Sequence, residues 1–283
     1  MMDDLQLLEN ELRAESAGMN YLKFRVDARE FAKAIGTVKN FLVEGCFRPT
    51  DDGSGVELLA MDPSHVSLAH LHLASGDLSE YRKGEMFCVD IEELDKALNA
   101  KAVGTPGRFY VVNQDVELSV VGDGVRLNFP DAKREVTIAK TKVPMEMPRI
   151  PPGQPPFTVE AKISAKEFKG VLDDLSKTKH DNLRISADSE EIVVTNYRGD
   201  SGGKTYLKKF GKGDRDLIGL KVREPATAIF DVNYLSNLGA EGLFKDEDMT
   251  VSLGKDRPIS IRYEMMRGSS LDMLLAPRVY TGD

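Results

Sequence analysis

"VDAREFAKAI", Val26–Ile35, and "ISAKEFKGVL", Ile163–Leu172, are two copies of one pattern. Each runs an apolar residue, an N-cap candidate (Asp27, Ser164), alanine, a basic residue and then Glu-Phe. Asp27-x-x-Glu30 and Ser164-x-x-Glu167 both fit a capping box, in which the glutamate reaches back to the cap's own N–H. The register continues downstream, where Phe47–Val56 aligns without gaps on Leu183–Ile192. A second repeat follows. "FCVDIEELDKAL" around Asp90 resembles "AIFDVNYLSNL" around Asp231, each a short strand, an Asp cap and a helix with Leu94 matched by Leu235. A β-rich stretch then closes each half, "RFYVVNQDVELSVVGDGVRLNFP" in the first and "MTVSLGKDRPISIRYEM" in the second.

Between the halves lies "VPMEMPRIPPGQPPF", Val143–Phe157. Its proline density forbids helix or central strand and predicts an extended connector. The spacing therefore predicts two like domains, 21–142 and 158–283, joined by a connector at 143–157. Residues 1–20 have no counterpart in the second half and are expected to form a flexible N-terminal extension.

The 283 residues suit two domains, and 41% hydrophobic with 30% charged residues suits ordinary cores under a polar surface. No apolar run approaches membrane-span length, and the acidic N-terminus is no signal peptide. Cys46 and Cys88 are too few for a disulfide framework or a cysteine-based zinc site, so a reduced, intracellular chain is expected. A net charge of −8 argues against a nucleic-acid-coated protein unless positive charge is concentrated on one surface.

Helical spacing assigns the faces. The first helix buries Phe31, Ile35, Val38 and Leu42 and presents Arg29, Lys33, Lys39 and Asn40. The second buries Ile91, Leu94 and Leu98 and presents Lys96 and Asn99. The third buries Phe168, Leu172 and Leu175 and presents Lys166, Lys169 and Lys177. The fourth buries Leu235 and Leu238 and presents Asn233 and Asn237. These helices sum to no net charge, so the whole excess of acid lies elsewhere. No aromatic residue interleaves with the lysines, which disfavours a stacking platform for single strands. Contacts to a phosphate backbone, without sequence readout, remain open beside ordinary solvated faces.

Catalytic motifs fare poorly. "RGDSGGKT", Arg198–Thr205, leaves three residues between Gly199 and Gly203 where a phosphate-binding loop needs four. His70 and His72 share one face of a predicted strand, but no third metal ligand is identifiable. No Gly-x-Ser-x-Gly elbow is present. Asp51–Asp52 and Asp173–Asp174 read as solvated carboxylates.

"GVELLAMDPSHVSLAHLHL", Gly55–Leu73, resembles the Leu-x-x-Met-Asp-Ser-Ser-His-Val-Ser-Leu segment of the archaeal and eukaryotic sliding clamps, the proliferating cell nuclear antigen family. It departs at Pro63. "LLAPRV", Leu274–Val279, is similar to that family's Leu-Ala-Pro-Lys-Ile ending. The resemblance spans about Tyr21 to Tyr280 and implies an α+β fold of two similar clamp domains. Each would have curved antiparallel sheets outside and two helices on the inner face, and subunits would assemble into a ring.

That resemblance implies a processivity factor that encircles double-stranded DNA without sequence preference, uses no cofactor or metal and catalyses nothing. The helix faces named above become DNA-facing. Partners would be DNA polymerase, the clamp loader and other proteins with clamp-binding peptides, plus self-association as a homotrimer; no membrane is involved. The location would be cytoplasmic or nucleoid in a prokaryote, nuclear in a eukaryote. The partner-peptide pocket would comprise Met61, His65, Val66, Ile150, Pro258, Leu274, Leu275, Ala276, Pro277, Arg278 and Val279. Pro148 departs from the family's usual apolar aliphatic residue near that pocket. By position, Gly124, Val125, Arg126, Leu127, Asn128 and Phe129 of one subunit would pair with Ile192, Val193, Val194, Thr195, Asn196 and Tyr197 of the next, the alternative being that both strands are paired within the subunit. Two alternatives stand beside this: a clamp-fold subunit of a heteromeric, checkpoint-type or paralogue ring, and a metal- or phosphate-dependent enzyme.

Overall fold

A computed structural model describes residues 20–99, 114–143, 148, 157–177, 181–197, 206–238, 247–266 and 268–278. The expected N-terminal extension and most of the Pro-rich connector lie outside these residues. The chain divides into two compact units that are not contiguous in sequence. Unit 1 takes the residues up to Ala60, His70–Pro148 and Met265–Ser270; unit 2 takes Met61–Ala69, Arg149–Glu264 and Leu271 onward.

The first half runs β1 (Lys23–Asp27), α1 (Ala28–Val38), β2 (Glu44–Pro49), β3 (Gly55–Met61), β4 (Ser67–Ala74), β5 (Glu80–Arg82), β6 (Phe87–Asp90), α2 (Ile91–Asn99), β7 (Asp115–Val121), β8 (Gly124–Phe129) and β9 (Arg134–Thr141). The second half repeats this order. It runs β10 (Val159–Ser164), α3 (Ala165–Ser176), β11 (Asn182–Ala187), β12 (Glu191–Asn196), β13 (Leu207–Gly211), β14 (Leu217–Val222), β15 (Ala226–Asp231), α4 (Val232–Leu238), β16 (Asp248–Leu253), β17 (Ile259–Glu264) and β18 (Ser270–Leu275).

Pairing repeats as well. In unit 1, β5, β1, β7, β8 and β9 lie side by side, all antiparallel. In unit 2, β14, β10, β16 and β17 do the same. The pairs β3–β2–β6 are matched by β12–β11–β15. Antiparallel strands joined by short turns let one face pack a core while the other meets water, which the alternating burial of β1, β10 and β12 records.

Unit 1 is centred on four phenylalanines from four elements. Phe24, Phe31, Phe47 and Phe87 are fully buried, with ring centroids 5.5–6.4 Å apart. One aromatic cluster thus fastens α1 to β1, β2 and β6, and truncating any member costs about 3–5 kcal/mol. Unit 2 buries Phe168, Phe210, Phe230 and Tyr263.

Asp27, Asp90 and Asp231 each accept an N–H from the first turn of the following helix. Ser164 does not, which corrects its capping-box expectation; at Asp27 the cap accepts the Glu30 N–H while the Glu30 carboxylate lies 2.8 Å from Lys33. The helix after Ser164 is anchored by backbone instead: Ala165 N–H donates to Glu247 O at 3.0 Å. The expectation of reduced cysteines is also corrected. Strand register sets Cys46 directly opposite Cys88, with Cα atoms 4.0 Å apart, and the buried pair forms a disulfide. The 42 residues separating them in sequence conceal that neighbourhood.

Candidate functional site

The polar helix faces carry fewer free cations than the sequence suggests. Lys33 is buried and its ammonium lies 2.8 Å from Glu30, so its expected place on the DNA-facing surface is corrected. Lys39, at the end of α1, reaches Asp95 on α2 at 2.6 Å. Asp95 is itself buried and also accepts from Asn99 Nδ2 at 2.9 Å, so two of the expected DNA contacts converge on one carboxylate. Lys96 bridges Glu92 and Glu93, whose hydrogen bonds hold its ammonium above the ordinary lysine value. Lys169 pairs with Asp173, and Lys177 with Asp174. Arg29 and Lys166 are exposed, and among the described residues neither has an ion pair. Asn233 and Asn237 are exposed on α4, and Asn40 is half-buried.

A second region lies in unit 2, where the loop between β3 and β4 meets the C-terminal segment. Asp62 is buried, and its carboxylate accepts three backbone N–H groups. Oδ2 takes Ser64 at 3.0 Å, while Oδ1 takes Val66 at 2.8 Å and Ser67 at 2.6 Å. His65 is exposed at the tip with φ +58, a left-handed conformation uncommon outside glycine. Val66 O accepts from Ala276 N–H at 2.9 Å, which brings the loop against the chain's end. Met61, Pro258, Leu274 and Pro277 are half-buried, Leu275 is buried and Ala276 and Arg278 are exposed. Arg278 N–H donates to Ile229 O and its guanidinium reaches Asp231 at 2.6 Å, so this segment also closes the side of β15. Ile150 and Val279 lie outside the described residues.

The expected interface strands are corrected. β8 is paired along its length with β7 on one side and β9 on the other. β12 is likewise held between β11 and β13. Neither has an open edge for another subunit. Among the described residues their outer neighbours do: β9 meets β6 at Lys140 and Thr141, with no strand pairing at Arg134–Ala139 on the side away from β8, and β13 ends its sheet. Leu207 on β13 is 55% exposed. The start of β9 is anchored inward: Arg134 donates to Ala97 O at 2.7 Å and stacks 3.9 Å over the Phe129 ring. The repeat carries the signal that was missed, since it makes β9 and β13 the counterparts of β18 and β4.

His70 and His72 do share one face, with ring centroids 6.5 Å apart, but each has its own partner. His70 Nε2 lies 2.8 Å from Glu57, which also binds Arg48, and His72 lies 3.4 Å from Ser54 Oγ. Among the described residues no three His, Cys, Asp or Glu side chains group to hold a metal. The Arg198–Thr205 stretch lies outside the described residues.

Comparison with known proteins agrees with this architecture. Family models described as the proliferating cell nuclear antigen N-terminal and C-terminal domains match residues 21–121 and 154–278. The DNA polymerase sliding clamp of Pyrococcus furiosus is 27% identical over 255 residues, spanning 89% of this chain and 96% of the relative. That of Methanococcus maripaludis strain C6 is 29% identical over 261 residues, spanning 89% and 97%. Among solved structures, the PCNA of Thermococcus kodakaraensis superposes with a TM-score of 0.76 at 22% identity, covering 91% of this chain and all of that one. A PCNA2–PCNA3 complex from Sulfolobus tokodaii gives 0.73 at 19% identity, covering 90% and 99%.

Proposed function

The chain belongs to the proliferating cell nuclear antigen family, and from that premise we propose how it works as a DNA sliding clamp. It is a ring subunit that holds DNA polymerase and other replication or repair enzymes on duplex DNA inside the cell. The reading assigns it no reaction of its own. The observation that carries it is the duplicated unit with an open edge in each copy. β4 and β18 are already tied at both ends, through Val66–Ala276 and through Ala74 N–H to Ser269 Oγ. Their repeat counterparts, β13 and β9, have no such partner among the described residues. Pairing β9 of one subunit with β13 of the next is a head-to-tail contact, which generates a ring where the rotation closes, and three copies is the number that the family resemblance implies. Burying an unpaired edge and Leu207 favours closure.

Inside the ring, α1–α4 face the DNA. Their lysines are largely answered by neighbouring carboxylates, so each subunit offers a weak, sequence-blind attraction. That suits sliding, because phosphate contacts position without specifying and tight ones would arrest motion. On the outer side, Met61, His65, Val66, Pro258 and Leu274–Arg278 take short partner peptides with aromatic anchors in one helical turn.

Native mass measurement at micromolar concentration tests the assembly. A trimer is expected; monomer alone refutes the homotrimer. The Sulfolobus complex joins two different clamp chains. A monomer here that assembles only when mixed with paralogues supports that heteromeric arrangement instead.

A further inference from the structure

We propose that Asp62 is a positioning residue for partner docking: its buried carboxylate sets the loop that presents His65. The inference rests on the reading of this loop as a docking surface. It starts from a backbone outlier. A histidine at φ +58 is held in a sparsely populated region, and such conformations persist only where their surroundings over-determine them. Here the surroundings centre on one side chain. Three N–H groups converge on the Asp62 carboxylate, and two further backbone bonds, Asp62 N–H to Ser67 O and His65 N–H to Asp62 O, close the turn around it.

Nothing inside the chain uses what this arrangement holds up. Among the described residues the His65 side chain has no hydrogen bond or ion pair, and it points from an exposed tip. Glycine would adopt the same φ without cost, so the turn alone does not require histidine. The loop is also coupled to the opposite rim, because the residue after His65 gives its carbonyl to Ala276. A shift of the loop therefore moves both walls of the docking surface. An asparagine at 62 keeps the shape but supplies one carbonyl oxygen instead of two charged acceptors, which leaves at least one loop N–H unanswered.

The test is a double-mutant cycle on the full-length clamp. A short synthetic peptide with two aromatic anchors on one helical turn is titrated into wild type, Asp62→Asn, His65→Ala and the double variant. If Asp62 acts through His65, each single change weakens binding by about tenfold and the double variant is no weaker than His65→Ala. Amide exchange at Val66 and Ser67 quickens in Asp62→Asn while the ring mass stays unchanged. Additive losses overturn the proposal, as does full-strength binding by Asp62→Asn. Binding indifferent to His65 as well overturns the docking reading itself, and the proposal with it. Should Asp62→Asn fail to assemble, Asp62→Glu, which keeps the charge but displaces the oxygens by a methylene, carries the same cycle.

Discussion

Lys39 Nζ lies 2.6 Å from Asp95 Oδ2, an ion pair that joins the end of α1 to the buried side of α2. One of the cations expected from sequence to meet DNA is thus restrained by its own subunit. Asp95→Asn releases it. The expected outcome is tighter DNA binding, with the slope of log affinity against log salt steepening by about 0.9 for each phosphate newly engaged. An unchanged slope means that Lys39 does not reach the duplex.

Lys33 and Lys166 separate structural from functional lysines. Lys33→Glu places a second carboxylate against Glu30 in a buried site and lowers stability by about 3 kcal/mol or more. Lys166→Glu leaves the thermal midpoint nearly unmoved and reduces processivity in a primer-extension assay. The opposite pattern, with Lys33→Glu stable and Lys166→Glu fully processive, sinks the DNA-facing assignment of α3.

The Cys46–Cys88 bridge closes a loop holding β3, β4 and β5. From the 42-residue separation, chain-entropy arguments assign it about 4 kcal/mol. Thiol titration of the unfolded, unreduced chain is expected to find no free thiol, and Cys46→Ser to lower the thermal midpoint. Two titratable thiols would show the bridge to be absent.

Leu207 tests the ring. Replacing it by glutamate removes an apolar contact from β13 and sets a charge at the proposed junction, raising the subunit dissociation constant by about tenfold or more. Light scattering across a dilution series reads the change, and a ring as stable as wild type excludes β13 from the interface.

Acid should loosen the β1–β5 edge. The hydrogen bond from Lys23, with Lys23 and Arg25 charges beside it, holds the Glu80 carboxyl below its ordinary 4.5. A depressed carboxylate stabilises the fold above its unfolded value, and this is lost as pH falls through the folded one. Glu80 is partly exposed, so the effect is small. Urea midpoints are expected to fall less between neutral pH and pH ~3 in Glu80→Gln than in wild type; parallel curves dismiss the contribution.

Much of this was legible in the sequence because it is local. Helical periodicity named Phe31, Ile35, Leu94 and Phe168 as core, and the Asp caps at Asp27, Asp90 and Asp231 marked helix starts. The Met61–Leu68 and Leu274–Val279 motifs carried the family. What was misread depends on distant partners. Lys33 falls on the polar side by period, yet it is buried and paired with Glu30. β8 is expected at the interface by position in the family, but only its pairing with β7 and β9 shows that both its sides are filled.

Sequence by itself determined the duplication, the order of strands and helices and the family, since these follow from residue spacing along one chain. Tertiary structure alone decided which strands end their sheets among the described residues, which lysines are already paired, that Cys46 meets Cys88, and that the Asp62 carboxylate gathers the N–H groups of Ser64, Val66 and Ser67. Each of these is a meeting of groups whose energy depends on distance in space, and strand register sets that distance.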